Sequence, residues 1–143
     1  MNITIIYLNN LKLKTFKEQD AEDYCSINGI NRLDITELYL YKNQLTDISG
    51  IKLFKNLEIL QLRQNELTDI SVLKDLKKIK LLSLGNNSIT DISVIQYLNN
   101  LQSLDIRNLE LESDQIQYIK SLNNLKQLLA EKGFKSKTVI KKI

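Results

Sequence analysis

The chain has 143 residues, 43% of them hydrophobic, with 20 basic side chains against 17 acidic ones and a net charge of +3. That length suits one domain with an ample core, and so mild a charge does not mark a nucleic-acid protein on its own. Histidine is absent and cysteine occurs once, which removes Ser-His-Asp and Cys-His nucleophilic arrangements, histidine-containing metal sites, thiolate clusters and intramolecular disulfides.

The apolar run Ile3–Leu8 is too short for a signal-peptide core or a membrane span. Thr4–Leu8 is expected to form a strand that pairs with the first repeat or covers its edge. From Phe16 to Ser26 the residues FKEQDAEDYCS suit an amphipathic helix with Phe16, Ala21, Tyr24 and Cys25 inward. Ile27, Gly29 and Ile30 echo Ile48, Gly50 and Ile51 at a spacing of 21, which reads as a degenerate first repeat. Residues 1–34 are therefore expected to cap the end of a repeated core.

The centre of the chain is a sentence written twice. LEILQLRQNELTDISVLKDLKK from Leu57 is followed by IKLLSLGNNSITDISVIQYLNN from Ile79, a spacing of 22 residues. The frame extends back to Ile35 and forward to Leu111, giving four repeats over 35–112. Inside each unit the spacing passes from alternation (Leu60, Leu62) to threefold steps (Ile70, Leu73, Leu76), so a short strand should lead into a 3₁₀ or helical segment. Asn43, Asn65 and Asn87 fall where the chain leaves the strand, and their amides can satisfy backbone groups there, stacking into a ladder. Thr-Asp-Ile-Ser recurs at Thr46–Ser49, Thr68–Ser71 and Thr90–Ser93, offering Asp or Ser oxygen to cap the following turn.

After Leu101 the frame loosens: Asn108 falls one place early and Leu109 takes the ladder position. Ser113–Leu122 reads as a helix with Ser113 as N-cap and Ile116, Ile119 and Leu122 inward. Leu125–Ala130 reads as a last strand. The tail Glu131–Ile143 is basic, and residues 126–143 carry six lysines against one glutamate.

The pattern Leu-x-x-Leu-x-Leu-x-x-Asn at Leu57–Asn65, repeated at Ile79–Asn87, resembles the leucine-rich repeat of the 22-residue class found in bacterial internalins and in the leucine-rich regulatory subunit of protein phosphatase 1. The resemblance covers residues 27–130, though the chain has no proline, where many bacterial members carry one after Asp-Ile-Ser. It implies an α/β fold: a short solenoid with parallel strands on a concave face and helical or 3₁₀ segments on the convex face. It also implies that positions two, three, five, seven and eight of each unit face a partner. On that face Ile59 and Leu81 are aliphatic neighbours, Tyr39 and Tyr41 stand beside Arg63, and Asp105 and Arg107 lie further along. Tyrosine and arginine around a small apolar centre are typical of binding hot spots.

The expected function is a non-catalytic protein–protein interaction module, acting as adaptor, inhibitor or effector, with no cofactor and no metal. The expected partner-binding residues are Tyr39, Tyr41, Ile59, Arg63, Leu81, Asp105 and Arg107, all within a single domain of 1–34 (cap), 35–112 (repeats) and 113–143 (helix, last strand, basic tail). The alternative is a nucleic-acid or anionic-membrane binder working through Lys135, Lys137, Lys141 and Lys142. A lone cysteine and the absence of a signal core point to the cytoplasm, with export by a route needing no cleaved signal left open.

Overall fold

A computed structural model of the chain describes residues 3–130; the expectations for the basic tail lie outside the described residues. Six short strands form one parallel sheet in chain order: β1 (Thr4–Tyr7), β2 (Ile35–Tyr39), β3 (Ile59–Gln61), β4 (Leu81–Ser83), β5 (Ser103–Asp105) and β6 (Gln127–Leu129). Each strand is followed by a return segment, so one strand and one return make a coil. Three of the returns are 3₁₀ turns at Ser49–Leu53, Ser71–Asp75 and Ser93–Tyr97, while α1 (Glu18–Asn28) and α2 (Ile116–Lys120) serve the first and fifth coils.

The repeat exists because no coil can bury its own leucines. Leu38, Leu60, Leu82 and Leu104 stand in register on adjacent strands and are fully buried. Leu73 and Ile95 from the 3₁₀ turns close the same core from the other side. The asparagine ladder forms as the spacing predicts. Asn65 donates to the carbonyls of Leu40 and Leu62 at 3.0 and 2.9 Å and accepts from the Leu45 N–H at 3.0 Å. Asn43 and Asn87 repeat the arrangement, so each asparagine ties its own coil to the preceding one.

Of the two capping oxygens that Thr-Asp-Ile-Ser offers, the aspartate is used. Asp47, Asp69 and Asp91 accept the N–H of Ser49, Ser71 and Ser93, each at 2.8 Å. Those backbone hydrogen bonds hold all three carboxyls below the usual range.

The first coil differs from its expected form. Ile6, Leu8, Leu13 and Phe16 take the places of Leu38, Leu40, Leu45 and Ile48, a spacing of 32 residues, with Leu11 in the ladder position. The echo of Ile27 and Gly29 with Ile48 and Gly50 is thereby overturned. Ile27 is 83% exposed, and Gly29 ends α1 with φ 62°, a left-handed conformation suited to glycine. The helix begins at Glu18 rather than Phe16 because Asp20 accepts the Lys17 N–H at 2.7 Å and closes a capping box there. Phe16 is buried ahead of the helix, and Ala21 and Cys25 are buried within it. A Cβ at Gly50 would collide with the Lys17 and Phe16 carbonyls, so glycine is what lets α1 lie against the first 3₁₀ turn.

At the other end the expected helix Ser113–Leu122 is split. Ser113–Gln115 is 3₁₀ and only Ile116–Lys120 is α-helical. Ser113 lies within that turn, with Glu112 at the N-cap making no side-chain cap.

Candidate functional site: the strand face

Residues that alternate with the buried leucines share the outer face of the sheet. With strands about 4.8 Å apart, equivalent positions become columns. Position three runs Ile5, Glu37, Ile59, Leu81, Ser103, Gln127, and position five runs Tyr7, Tyr39, Gln61, Ser83, Asp105, Leu129. The backbone bonds Lys42 N–H to Arg63 O, Gln64 N–H to Gly85 O and Asn86 N–H to Arg107 O carry the register on to position seven: Tyr41, Arg63, Gly85, Arg107.

The face has two ends of different character. At the N-terminal end Tyr7 stacks on Tyr39 with ring centroids 4.7 Å apart. The Tyr39 hydroxyl donates to Glu37 Oε2 at 2.8 Å. Burial, reinforced by that bond, pushes its phenol up to about 12. Ile5 and Tyr7 are 41% and 64% exposed, while Tyr41, Ile59 and Leu81 are half-buried beside them. Aromatic and aliphatic side chains thus gather at this end of the face, with Glu37 between Ile5 and Ile59.

At the C-terminal end Arg107 grips Asp105 with two prongs, Nε to Oδ1 at 2.9 Å and Nη2 to Oδ2 at 2.8 Å. The Arg107 N–H and the Ser83 hydroxyl add bonds of 3.1 and 3.3 Å. Burial alone would raise the Asp105 carboxyl, but these donors and the guanidinium charge outweigh it and hold the carboxyl low. Gly85 makes the clamp possible, since a Cβ there would stand 2.9 Å from the Arg107 carbonyl and 3.2 Å from Asp105 Oδ1. Between the two ends lies Arg63, whose Nε is buried without a hydrogen-bond partner.

Tyr39, Tyr41, Ile59, Arg63 and Leu81 thus share one surface. Asp105 does not offer itself to a partner: it is 7% exposed and both its oxygens are occupied, so it orients Arg107. Ile5 and Tyr7 belong to the same surface and escaped the 22-residue frame. Their signal was the match of ITIIYL at Ile3 with ITELYL at Ile35. Two shallow pockets lie off the strand face, about 280 Å³ beside Cys25 and Phe54 and about 420 Å³ along Asp47 and Asp69. Among the described residues no group of three His, Cys, Asp or Glu side chains is placed to hold a metal ion, and no helix is long and apolar enough to cross a membrane.

Residues 34–76 match a family model of leucine-rich repeats in two copies. Among solved structures, an internalin (inlF) of Listeria monocytogenes is similar over 78% of this chain at 31% identity and a TM-score of 0.70. The match takes in 34% of that internalin, so this chain spans about a third of its length. Internalin C2 of the same bacterium is similar over 87% of this chain and 72% of its own, at 22% identity and a TM-score of 0.62. The leucine-rich repeat ectodomain of the receptor kinase SOBIR1 of Arabidopsis thaliana is similar over 90% and 70%, at 21% identity and a TM-score of 0.64. The last two likenesses concern the fold alone. No curated protein matches the chain.

Proposed function

We propose, from the premise that this chain is a leucine-rich repeat protein, that it is a non-catalytic interaction module binding a protein partner across its strand face. Repeat solenoids of this kind commonly serve protein–protein contact. The observation that carries the reading is the surface formed by Tyr7 stacked on Tyr39 beside Tyr41, Ile59 and Leu81. Aromatic anchors around an apolar centre are the anatomy of a hot spot. Polar pairs frame it: Lys80 holds Glu58 at 2.9 Å on one flank and Asp105 orients Arg107 on the other. The whole chain is taken as one domain, since its first and last described coils continue the same sheet. Cys25, buried as a free thiol, supports a reducing compartment and a cytoplasmic site of action.

The test is affinity capture under matched salt with three baits: wild type, a strand-face variant (Tyr41→Ala with Ile59→Thr) and an opposite-face variant (Lys74→Ala with Lys77→Ala). A protein held by wild type and by the lysine variant, but lost by the strand-face variant, is the expected result. Equal capture by all three would sink the reading.

A further inference from the structure

Arg63 and Arg107 occupy the same position of two repeats, yet only one has its counter-ion on this face. Arg107 receives the Asp105 carboxylate end-on through Nε and Nη2. In the unit of Arg63 the place of Asp105 is taken by Gln61, which brings no charge. Among the described residues Arg63 forms no ion pair, and its Nε–H is buried with no acceptor. The acidic groups of the neighbouring strands are engaged elsewhere: Glu37 with the Tyr39 hydroxyl, Glu58 with Lys80, and Asp105 with Arg107. Its neighbours in the column, Tyr41 and Gly85, add no carboxylate. The Arg63 charge is therefore left without a counter-ion on this face.

We infer that Arg63 is the docking point for an aspartate or glutamate side chain of the protein partner, which meets the guanidinium at its Nη groups. The inference rests on the strand-face reading above and names the partner's chemistry there. A planar two-oxygen acceptor fits the paired Nη groups of a guanidinium bidentately. The surroundings select a polypeptide as its carrier. Tyr41, Ile59 and Leu81 beside Arg63 suit an apolar side chain adjacent to the acid, whereas a nucleic-acid backbone would ask for several cations along one track.

Random peptides displayed on phage and selected on the intact chain provide the probe. Wild type is expected to enrich an Asp or Glu next to an apolar or aromatic residue. Replacing that acid by its amide, or Arg63 by Gln, should each weaken the selected peptide about tenfold, and the two changes together little further. The charge-reversed pair, Arg63→Glu against the peptide with its acid replaced by Lys, restores an ion pair in the opposite sense. That pair should recover most of the loss that either change causes alone. An Arg63 with a merely structural role would lower the melting temperature when changed to Gln and show no recovery in the charge-reversed pair. Peptides that lack an acid, or that are indifferent to both variants, overturn the inference. If those peptides are still lost on Tyr41→Ala the strand-face reading survives, and if they are not, both fall. Recovery of no peptide, or Arg63-dependent binding of a single-stranded oligonucleotide instead, also overturns it.

Discussion

Tyr7 stacks on Tyr39 at 4.7 Å across 32 residues of sequence, a longer step than the 22 that separate Tyr39 from Gln61 on the next strand. The stack places the first coil inside the solenoid rather than over its end, and lengthens the candidate interface by one strand. It also helps shield the Tyr39 hydroxyl, which already donates to Glu37.

That hydroxyl gives an alkaline signature. With its pKa raised from 10.0 to about 12, the folded form keeps a proton that the unfolded chain releases first. Stability should therefore decline as pH rises from about 10 towards 12. Glu37→Gln should lower the Tyr39 value, but not to the ordinary one, because burial is the larger cause. Tyrosine ring resonances followed through a pH titration measure both.

The acid limb has the opposite sign. Asp47, Asp69, Asp91 and Asp105 all titrate below their unfolded value of 3.8. Their contribution is present above that pH and disappears as pH falls through the lowered folded values. Changing Asp47, Asp69 and Asp91 to Asn keeps an oxygen for each serine N–H but removes the titrating group. Urea unfolding across pH 2 to 6 should show a shallower acid limb in the triple variant.

Asn65 is the ladder member buried between neighbours on both sides. Asn65→Ala strands the Leu45 N–H and weakens two carbonyl contacts, so a loss of roughly 2–4 kcal/mol is expected in chemical denaturation. Asn87→Ala should cost less, since Asn87 is half-buried and water can replace part of what it provides.

Position eight is left-handed in every coil from Asn10 to Asn108, including Lys42 at φ 55° and Gln64 at φ 58°. Asparagine tolerates that region and lysine and glutamine do so less well. Gln64→Gly removes the conflict at an exposed site and should stabilise the chain by about 0.5–1 kcal/mol, read as a higher melting temperature.

A second asparagine row runs along the turns after the 3₁₀ segments. Asn56 donates to Leu33 O at 2.7 Å, Asn100 to Lys77 O at 2.8 Å and Asn124 to Asn99 O at 2.7 Å. Lys78 interrupts the row and reaches Asn56 Oδ1 instead. Lys78→Asn should restore a bond to the Lys55 carbonyl and add about 0.5–1 kcal/mol to unfolding.

The central coils were legible because their period is set by packing within one turn of chain. Leu60 over Leu82, Asn65 over Asn87 and Asp69 over Asp91 repeat at 22 residues, and stacking identical coils forces identical spacing. The first coil was not legible at that period. Its return is an α-helix instead of a 3₁₀ turn, which lengthens the unit and displaces the frame, so Ile27 and Gly29 mimicked Ile48 and Gly50 by chance.

What the sequence by itself determined is the repeat fold and the side chains that the central coils turn to the strand face, since alternation decides which residues turn inward. Tertiary structure alone decided how those side chains are spent. Asp105 folds against Arg107 because Gly85 on the adjacent coil leaves the room, while Arg63, at the same repeat position, has Gln61 where a carboxylate would stand. Whether a charge is neutralised within the chain depends on neighbours that are distant in sequence and adjacent across the sheet, and those become visible only when the coils are stacked.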